Sequence, residues 1–149
     1  MAKDCHYAAT EQDILDWEAK YGPIPEGAFV ALRTDWSKNW PDMNAISGIA
    51  ADGSENFPAW SLSALKYIYE VRKAAANGHE TLDTDASAEA AKNEDLVCER
   101  YVLDSGKVQI EAMCNLDRVP ECGAVLIAAW PKFKGANGLP VRVWAIFEE

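Results

Sequence analysis

Hydrophobic and polar positions follow helical spacing in three parts of the chain. Apolar residues recur every three or four positions after Thr10, a good N-cap residue, and predict a first helix that ends at Gly22. Ser61 is expected to cap a second helix, whose apolar and charged positions fall on opposite faces. Asp95 is expected to cap a third helix, which runs to Leu103.

Strands are predicted between and after these helices. Residues 28–32 form a short apolar run typical of a buried strand, and residues 107–114 alternate as a half-buried strand does. The continuous apolar run at 123–129 predicts a central strand, and 141–147 a last one. Residues 74–77 fit either the last turn of the second helix or a short strand. This order of elements predicts an α/β protein, with a mixed β-sheet and two or three packed helices.

A long irregular stretch lies between the first strand and the second helix. Such a loop is usually functional or a lid. Its aromatic side chains could stack on a planar ligand, or they could anchor the loop to the body of the protein or to a partner subunit. These aromatic residues are Trp36, Trp40, Phe57 and Trp60, of which Trp36 and Trp40 are assigned to the candidate ligand pocket.

A polar run at 78–85 holds the richest set of chemical groups in the chain. It contains one imidazole, three carboxylates, two hydroxyls and a single apolar side chain. Burying such groups without partners costs several kcal/mol on the order of a buried-ion penalty, so the run lies on the surface or lines a polar site. The two interpretations are a solvated loop and a ligand pocket. Its candidate pocket residues are His79, Glu80, Asp83 and Asp85.

Composition narrows the class of protein. A chain of 149 residues fits one domain, and 49% hydrophobic residues with six tryptophans indicate a packed core. The net charge of −10 argues against nucleic acid and anionic membrane surfaces as partners. No apolar run is long enough to span a membrane, and the first residues lack the apolar core of a signal peptide.

The cysteines indicate a cytoplasmic protein with reduced thiols. Cys5, Cys98, Cys114 and Cys122 show no C-x-x-C pairing, and no histidine lies close in sequence to Cys98, Cys114 or Cys122. Cys98 and Cys114 lie among apolar residues and are predicted to be small core residues. Neither a zinc cluster nor a cysteine nucleophile is expected.

The order and spacing of several segments resemble the cyclase family of metal-dependent hydrolases, the family of bacterial kynurenine formamidase. No single segment is diagnostic, and together they span most of the chain. The segments are 28–37, 57–61, 78–85, 99–103, 109–111, 115–117 with 119–120, and 140–143.

This resemblance implies the swivelling β/β/α fold of that family and favours a strand at 74–77. It also reveals a departure, because the family's His-x-Gly-Thr-His-x-Asp-x-Pro metal motif has no counterpart in this sequence. The chain therefore resembles the C-terminal portion of a cyclase-family protein, and we treat 1–149 as a single cyclase-like domain of that kind.

The resemblance also suggests a metal site. In the formamidase branch a histidine and a glutamate at two matching positions bind a metal, and here Glu99 and Glu111 stand at those positions. Two carboxylates could hold a hard divalent cation such as Mg²⁺, Mn²⁺ or Ca²⁺, although two ligands make a weak site. The simpler interpretation is that Glu111 forms an ion pair with an arginine (Arg100, Arg118 or Arg142), and that the isolated chain holds no cofactor.

Two functions remain open. The first is a non-catalytic remnant of a cyclase-family hydrolase that binds a small molecule or self-associates; no catalytic residue is assigned, since the position of His79 is not the family's catalytic base. The alternative is a metal-dependent amide hydrolase or cyclase of formamidase type, active with a partner chain or a non-standard metal site. Apolar surface left uncovered predicts a homodimer, with Trp130, Trp144 and the tryptophan-rich loop as candidate interface residues.

Overall fold

A computed structural model describes residues 5–148, which form two compact units, 5–116 and 117–148. Residues 1–4, on which the signal-peptide argument partly depends, lie outside the described part. The strands are β1 Ala8–Ala9, β2 Phe29–Leu32, β3 Ala59–Trp60, β4 Ala76–His79, β5 Val108–Ile110, β6 Val125–Ala129 and β7 Arg142–Ile146. The α-helices are α1 Glu11–Tyr21, α2 Met43–Ser47, α3 Leu62–Lys66, α4 Ser87–Asn93 and α5 Val97–Asp104.

A parallel sheet with the order β2-β4-β5 forms the frame of the first unit. Leu32 of β2 pairs with His79 of β4, and Gly78 of β4 pairs with Ile110 of β5. The carboxyl ends of all three strands therefore meet at one edge of the sheet. A second parallel pair, β1-β3, lies beside the end of the polar run through a bridge between Trp60 and Asp85.

Helix α1 begins and ends as its sequence predicts. The Thr10 hydroxyl accepts from the Asp13 amide while the Asp13 carboxylate accepts from the Thr10 amide, so both caps of a capping box are present. Gly22 follows the last turn with a φ of 91°, a conformation that glycine adopts without strain. The helix buries Ile14 against the core.

The core of the first unit lies where α1, α3 and α5 pack around the sheet. Leu65, Ile68 and Val102 are completely buried in it. Helix α3 continues as one π-helical turn at Tyr67–Val71, which the sequence pattern does not predict. This turn aims Tyr69 at the sheet, and its hydroxyl donates to Asn77 Oδ1 at 2.6 Å.

Gly78 allows the sheet to pack closely at the start of the polar run. A Cβ atom there would lie 2.5 Å from Met113 Sδ and 2.6 Å from Phe29 Cζ, both too close for a real contact. Only glycine fits without displacing these two side chains. The strand at 74–77 that the family resemblance favours is confirmed, shifted to Ala76–His79.

The second unit consists mainly of an antiparallel hairpin. Strands β6 and β7 pair in register, with Ile127 opposite Trp144. Exposed and half-buried residues alternate along both strands, so the prediction of a central strand at 123–129 is wrong. A continuous apolar run fits any strand whose two faces are both apolar, and it does not show how many neighbours the strand has.

The α/β class is confirmed, with parallel and antiparallel pairing both present. Two local predictions fail. Asp95 does not cap the third helix, since Leu96 occupies the N-cap and the Asp95 carboxylate pairs with Arg100. Cys98 is buried as expected, but Cys114 is exposed. No helix among the described residues is long and apolar enough to cross a membrane.

Candidate functional site

Polar side chains gather at the carboxyl edge of the β2-β4-β5 sheet. The segment after β2 supplies Thr34 to Ser37, the polar run follows β4, and Glu111 comes directly after β5. In sheets of parallel strands this edge is where ligands commonly bind. The predicted pocket residues of the polar run are thus brought together with Glu111, which lies far from them in sequence.

His79 lies at the centre of this group and is completely buried. Its Nδ1 lies 3.2 Å from the Thr81 carbonyl oxygen and 3.1 Å from Thr81 Oγ1, and its Nε2 lies 3.1 Å from Thr84 Oγ1. A carbonyl oxygen only accepts, so Nδ1 carries the proton and Nε2 accepts from the Thr84 hydroxyl. Burial lowers the pKa of His79 to about 4, which keeps the imidazole neutral at physiological pH.

Glu80 is the most densely bonded carboxylate of the polar run. One oxygen accepts from the backbone amides of Thr34 at 2.7 Å and Asp35 at 2.5 Å, and the other accepts from the Ser37 hydroxyl at 2.6 Å. Only 2% of the residue is exposed. The carboxylate therefore holds the loop after β2 against the end of β4.

Asp85 replaces Asp95 as the acidic group at the start of α5. Its two oxygens accept from the backbone amides of Cys98 at 2.7 Å and Glu99 at 2.9 Å. These amides have no partner within the helix, and the negative charge also suits the helix dipole. The interpretation of the polar run as a solvated loop is wrong, because six of its eight residues are buried. They are Gly78, His79, Glu80, Thr81, Thr84 and Asp85.

Asp83 and Glu111 are less enclosed than these groups. Desolvation and the nearby charges of Glu99 and Asp83 raise the pKa of Glu111 to about 7. The pKa of Asp83 is raised as well, chiefly by desolvation, and its buried Oδ1 has no hydrogen-bond partner. The Glu111 side chain itself is exposed, so water screens part of this repulsion.

Gln109 and Thr84 place Glu111 close to the buried histidine. Glu111 Oε1 accepts from Gln109 Nε2 at 3.1 Å and lies 3.4 Å from Thr84 Oγ1, which also contacts His79. Sequence reasoning did not single out Thr84 or Gln109. Strand pairing could have identified Gln109, because it lies opposite Asn77, two residues before His79. Both strands therefore place polar side chains on the same face of the sheet.

Arg100, one of the three arginines expected to pair with Glu111, pairs instead with Asp95. Glu99 is half-buried and lines an open surface groove along the outer face of α5. Among residues 5–148 no three histidine, cysteine or acidic side chains are arranged to hold a metal ion. The described donors therefore do not form a complete metal site.

The two tryptophans of the predicted pocket have different surroundings. Trp36 is half-buried, and its Nε1 donates to the Ile46 carbonyl oxygen at 2.9 Å, which ties the loop to α2. Trp40 is 66% exposed. Phe57 and Trp60 are buried, so the anchoring interpretation describes most of the loop's aromatic residues, and Trp40 is the one with an open ring.

Known proteins resemble both the sequence and the fold. The model of the cyclase family, described as "Putative cyclase", matches residues 1–86. Isatin hydrolase of Roseibium aggregatum is 29% identical over 145 residues, which are 97% of this chain and 54% of that protein.

Two solved structures show the same backbone. Isatin hydrolase A from Ralstonia solanacearum has a TM-score of 0.90 at 31% identity, over 98% of this chain and 55% of that one. Isatin hydrolase A from Labrenzia aggregata, bound to benzyl benzoate, has a TM-score of 0.90 at 34% identity, over 99% and 56%.

The chain spans about half the length of these relatives. This partial coverage fits the interpretation of a C-terminal portion of the family's fold. The narrower likeness to kynurenine formamidase stays a prediction. A family match over more than half of its residues shows that this chain belongs to the cyclase family.

Proposed function

We propose that this chain is a cyclase-family module, related to isatin hydrolases, that binds a small molecule but does not hydrolyse it with its own described residues. Its ligand would meet Asp83 and Glu111 at the carboxyl edge of the sheet and the open ring of Trp40. His79, Glu80 and Asp85 would shape this edge from beneath, and Trp36 would hold the loop.

The state of His79 carries this proposal. A general base must reach its proton and have a pKa near the working pH. His79 is fully buried, both ring nitrogens are already hydrogen-bonded, and its pKa of about 4 makes it a poor proton acceptor at neutral pH. A metal ligand would likewise need the Nε2 lone pair that the Thr84 hydroxyl occupies.

The remaining donors support the same conclusion. Metal-dependent hydrolysis needs an ion that activates water, and catalytic sites usually hold it with three protein ligands. Among the described residues at this edge, no three carboxylates are arranged to hold a metal ion. We therefore assign no reaction step to a metal in this chain.

An assay of the purified chain tests the proposal. Isatin, the cyclic amide named by the relatives, is incubated with the chain in the presence of Mn²⁺, Zn²⁺ or Mg²⁺, and ring opening is followed by absorbance. We expect ring opening to be no faster with the chain than without protein. Turnover that Glu111→Gln abolishes, while the exposed control Glu26→Gln retains it, would refute the proposal.

The alternative is hydrolysis of a small cyclic amide with a second polypeptide that supplies the missing metal ligands. The raised pKa values of Glu111 and Asp83 favour it, because crowded carboxylates without a countercharge would be relieved by a divalent cation. Calorimetric titration of the chain with Mn²⁺ separates the two. We expect binding no tighter than about millimolar; micromolar binding that Glu111→Gln removes would support the alternative.

A further inference from the structure

The chain holds two Asn-Gly pairs, and the structure places them in opposite surroundings. Asn77–Gly78 lies in β4, the central strand of the parallel sheet, and Asn137–Gly138 lies in the connection between β6 and β7. In an Asn-Gly pair the backbone can attack the side chain readily, because glycine has no Cβ to shield its amide nitrogen or to restrict its conformation. We propose that Asn137 is a site of spontaneous deamidation and that Asn77 is protected from it.

The proposed reaction needs only this chain and water. The Gly138 amide nitrogen loses its proton and bonds to the side-chain carbonyl carbon of Asn137. The bond from that carbon to the side-chain nitrogen breaks, and ammonia leaves with the proton, so that a five-membered cyclic imide forms. Water then opens the ring at either carbonyl group and leaves an aspartate or an isoaspartate. In sum, an amide and a water molecule become a carboxylic acid and ammonia, and nothing is oxidised or reduced.

The surroundings of Asn137 permit this attack. Asn137 and Gly138 are both exposed and lie outside the strands and helices of the described residues. A Cβ placed on Gly138 would have no atom within 4 Å, so the backbone there has open space beside it. Within residues 5–148, no backbone carbonyl accepts from the Gly138 amide. The backbone can therefore turn to bring the attacking nitrogen to the side chain, and water can reach the product.

The same dipeptide in β4 is held in place. The strand pairs with β2 on one side and β5 on the other, Asn77 is completely buried, and its Oδ1 accepts from the Tyr69 hydroxyl at 2.6 Å. A Cβ on Gly78 would lie 2.5 Å from Met113 Sδ, so the backbone has no room to turn. Because a central strand opens only together with most of a domain, folding should slow the deamidation of Asn77 on the order of a thousandfold.

Deamidation changes the charge of the connection between β6 and β7. Residues 130–141 contain two lysines, Lys132 and Lys134, and no acidic residue, so a new carboxylate at Asn137 cancels one of their two positive charges. The site lies beyond the last strand pair, Ala129 with Arg142, so the pairing of β6 with β7 should persist. This inference goes beyond the proposed function, since it involves neither the ligand site nor catalysis.

Incubation of the folded chain, followed by trypsin digestion and mass spectrometry, tests the assignment. Trypsin releases the two asparagines in separate peptides, 135–142 for Asn137 and 74–92 for Asn77. At pH 8 the first peptide should gain about one dalton over days, and part of it should accept a methyl group from an isoaspartate methyltransferase, while the second stays unchanged. At pH 6 the rate should be severalfold lower, because the attacking amide must lose its proton. A sample digested without incubation sets the background.

Unfolding the chain and changing the glycine provide the controls. In urea that unfolds the chain, Asn77 and Asn137 should react at similar rates. Gly138→Val fits the fold, since Gly138 has no positive φ and a Cβ there has open space; its β-branched side chain should slow the reaction of Asn137 roughly tenfold. Circular dichroism confirms folding, and Gly138→Ala replaces this variant if it unfolds.

Three results would each overturn the inference. The first is an Asn137 that reacts in the unfolded chain but not in the folded one. The second is an Asn77 that reacts as fast as Asn137 in the folded chain. The third is a folded glycine variant whose Asn137 reacts at the natural rate.

Discussion

Glu80 offers the most quantitative test of how the polar run is held. Glu80→Ala removes a buried carboxylate and leaves its three closest donors without their acceptor: the amides of Thr34 and Asp35 and the hydroxyl of Ser37. All three bonds are short, and the residue is 2% exposed, so water cannot replace the carboxylate without opening the loop.

The expected loss follows from these contacts. A hydrogen bond to a charged group contributes about 1.5–3 kcal/mol, and an unsatisfied buried donor costs about 1–3 kcal/mol. The gains are not additive, because the carboxylate also loses its hydration on folding, and breaking one side of a buried charged pair typically costs about 3–5 kcal/mol. We therefore expect Glu80→Ala to lower the free energy of unfolding by about 4 kcal/mol.

Urea denaturation followed by tryptophan fluorescence measures this loss, with the midpoint and the slope fitted separately. Glu26→Ala is the matched control, because Glu26 lies exposed in the turn before β2 and its removal should change stability by about 0.5 kcal/mol or less. A loss below about 1 kcal/mol for Glu80→Ala, with an unchanged slope, would refute the anchoring role of this carboxylate.

Further changes test other contacts of the site. Asp85→Ala should cost about 2 kcal/mol of unfolding free energy by urea denaturation, since it uncaps α5; a loss under about 0.5 kcal/mol would contradict the capping role. Thr84→Val keeps the shape of the side chain but removes the partner of His79 Nε2, and should cost about 1–2 kcal/mol in the same assay, whereas no loss would show that this bond does not matter. Gly78→Ala overpacks the sheet and should cost about 2–3 kcal/mol, visible as a lower Tm; an unchanged Tm would mean that the neighbouring side chains can move aside. Because the pKa of Glu111 is raised to about 7, its ionisation destabilises the folded state; this destabilisation is absent below pH 4.5 and grows as pH rises to 7. Glu111→Gln should therefore stabilise the protein by about 1 kcal/mol at pH 8, after solvent screening, but not at pH 4. An equal effect of the substitution at both pH values would contradict the crowding of the acidic groups. In a double variant, Glu111→Gln with Asp83→Asn, the lowered pKa of His79 acts in the opposite direction: its contribution is full above pH 6.5, and stability should fall by about 2 kcal/mol between pH 7 and 5 in urea denaturation, while a flat profile would contradict a buried neutral imidazole.

The elements that depend on local chemistry were predictable from the sequence. Thr10 and Gly22 bound α1 because capping needs only residues within one turn of the helix end. Ser61 caps α3 for the same reason, and its hydroxyl accepts from the Ala64 amide. The apolar run at 28–32 became β2 with a shift of one residue.

The burial of the polar run was not predictable in the same way. Whether a carboxylate can be buried depends on its donors, and those of Glu80 lie more than forty residues earlier in the chain. The same reason explains the wrong cap of α5, because Asp85 lies before α4 and still reaches the first amides of α5, while Asp95, the local candidate, turns to Arg100. Local patterns identify the right residue types here, but tertiary contacts decide their roles.

The hairpin illustrates a different limit. Residues 123–129 are apolar on both faces, so periodicity alone could not distinguish a central strand from a two-stranded ribbon. The pairing of Ile127 with Trp144 and their exposure place these residues on an open face instead. The sequence alone does not reveal that Ile127 lies opposite Trp144, because the pairing of the two strands sets this register.

The most direct test of the central claim is an NMR titration of the two imidazoles. The chain contains only His6 and His79, and a His6→Gln variant assigns their signals. We predict that the His79 ring signals stay those of the neutral form protonated at Nδ1 from pH 8 down to 5, and that Mn²⁺ or Zn²⁺ leaves this tautomer unchanged. Titration of His79 near pH 6.5, or transfer of its proton from Nδ1 when the metal is added, would show a reactive histidine and contradict the account.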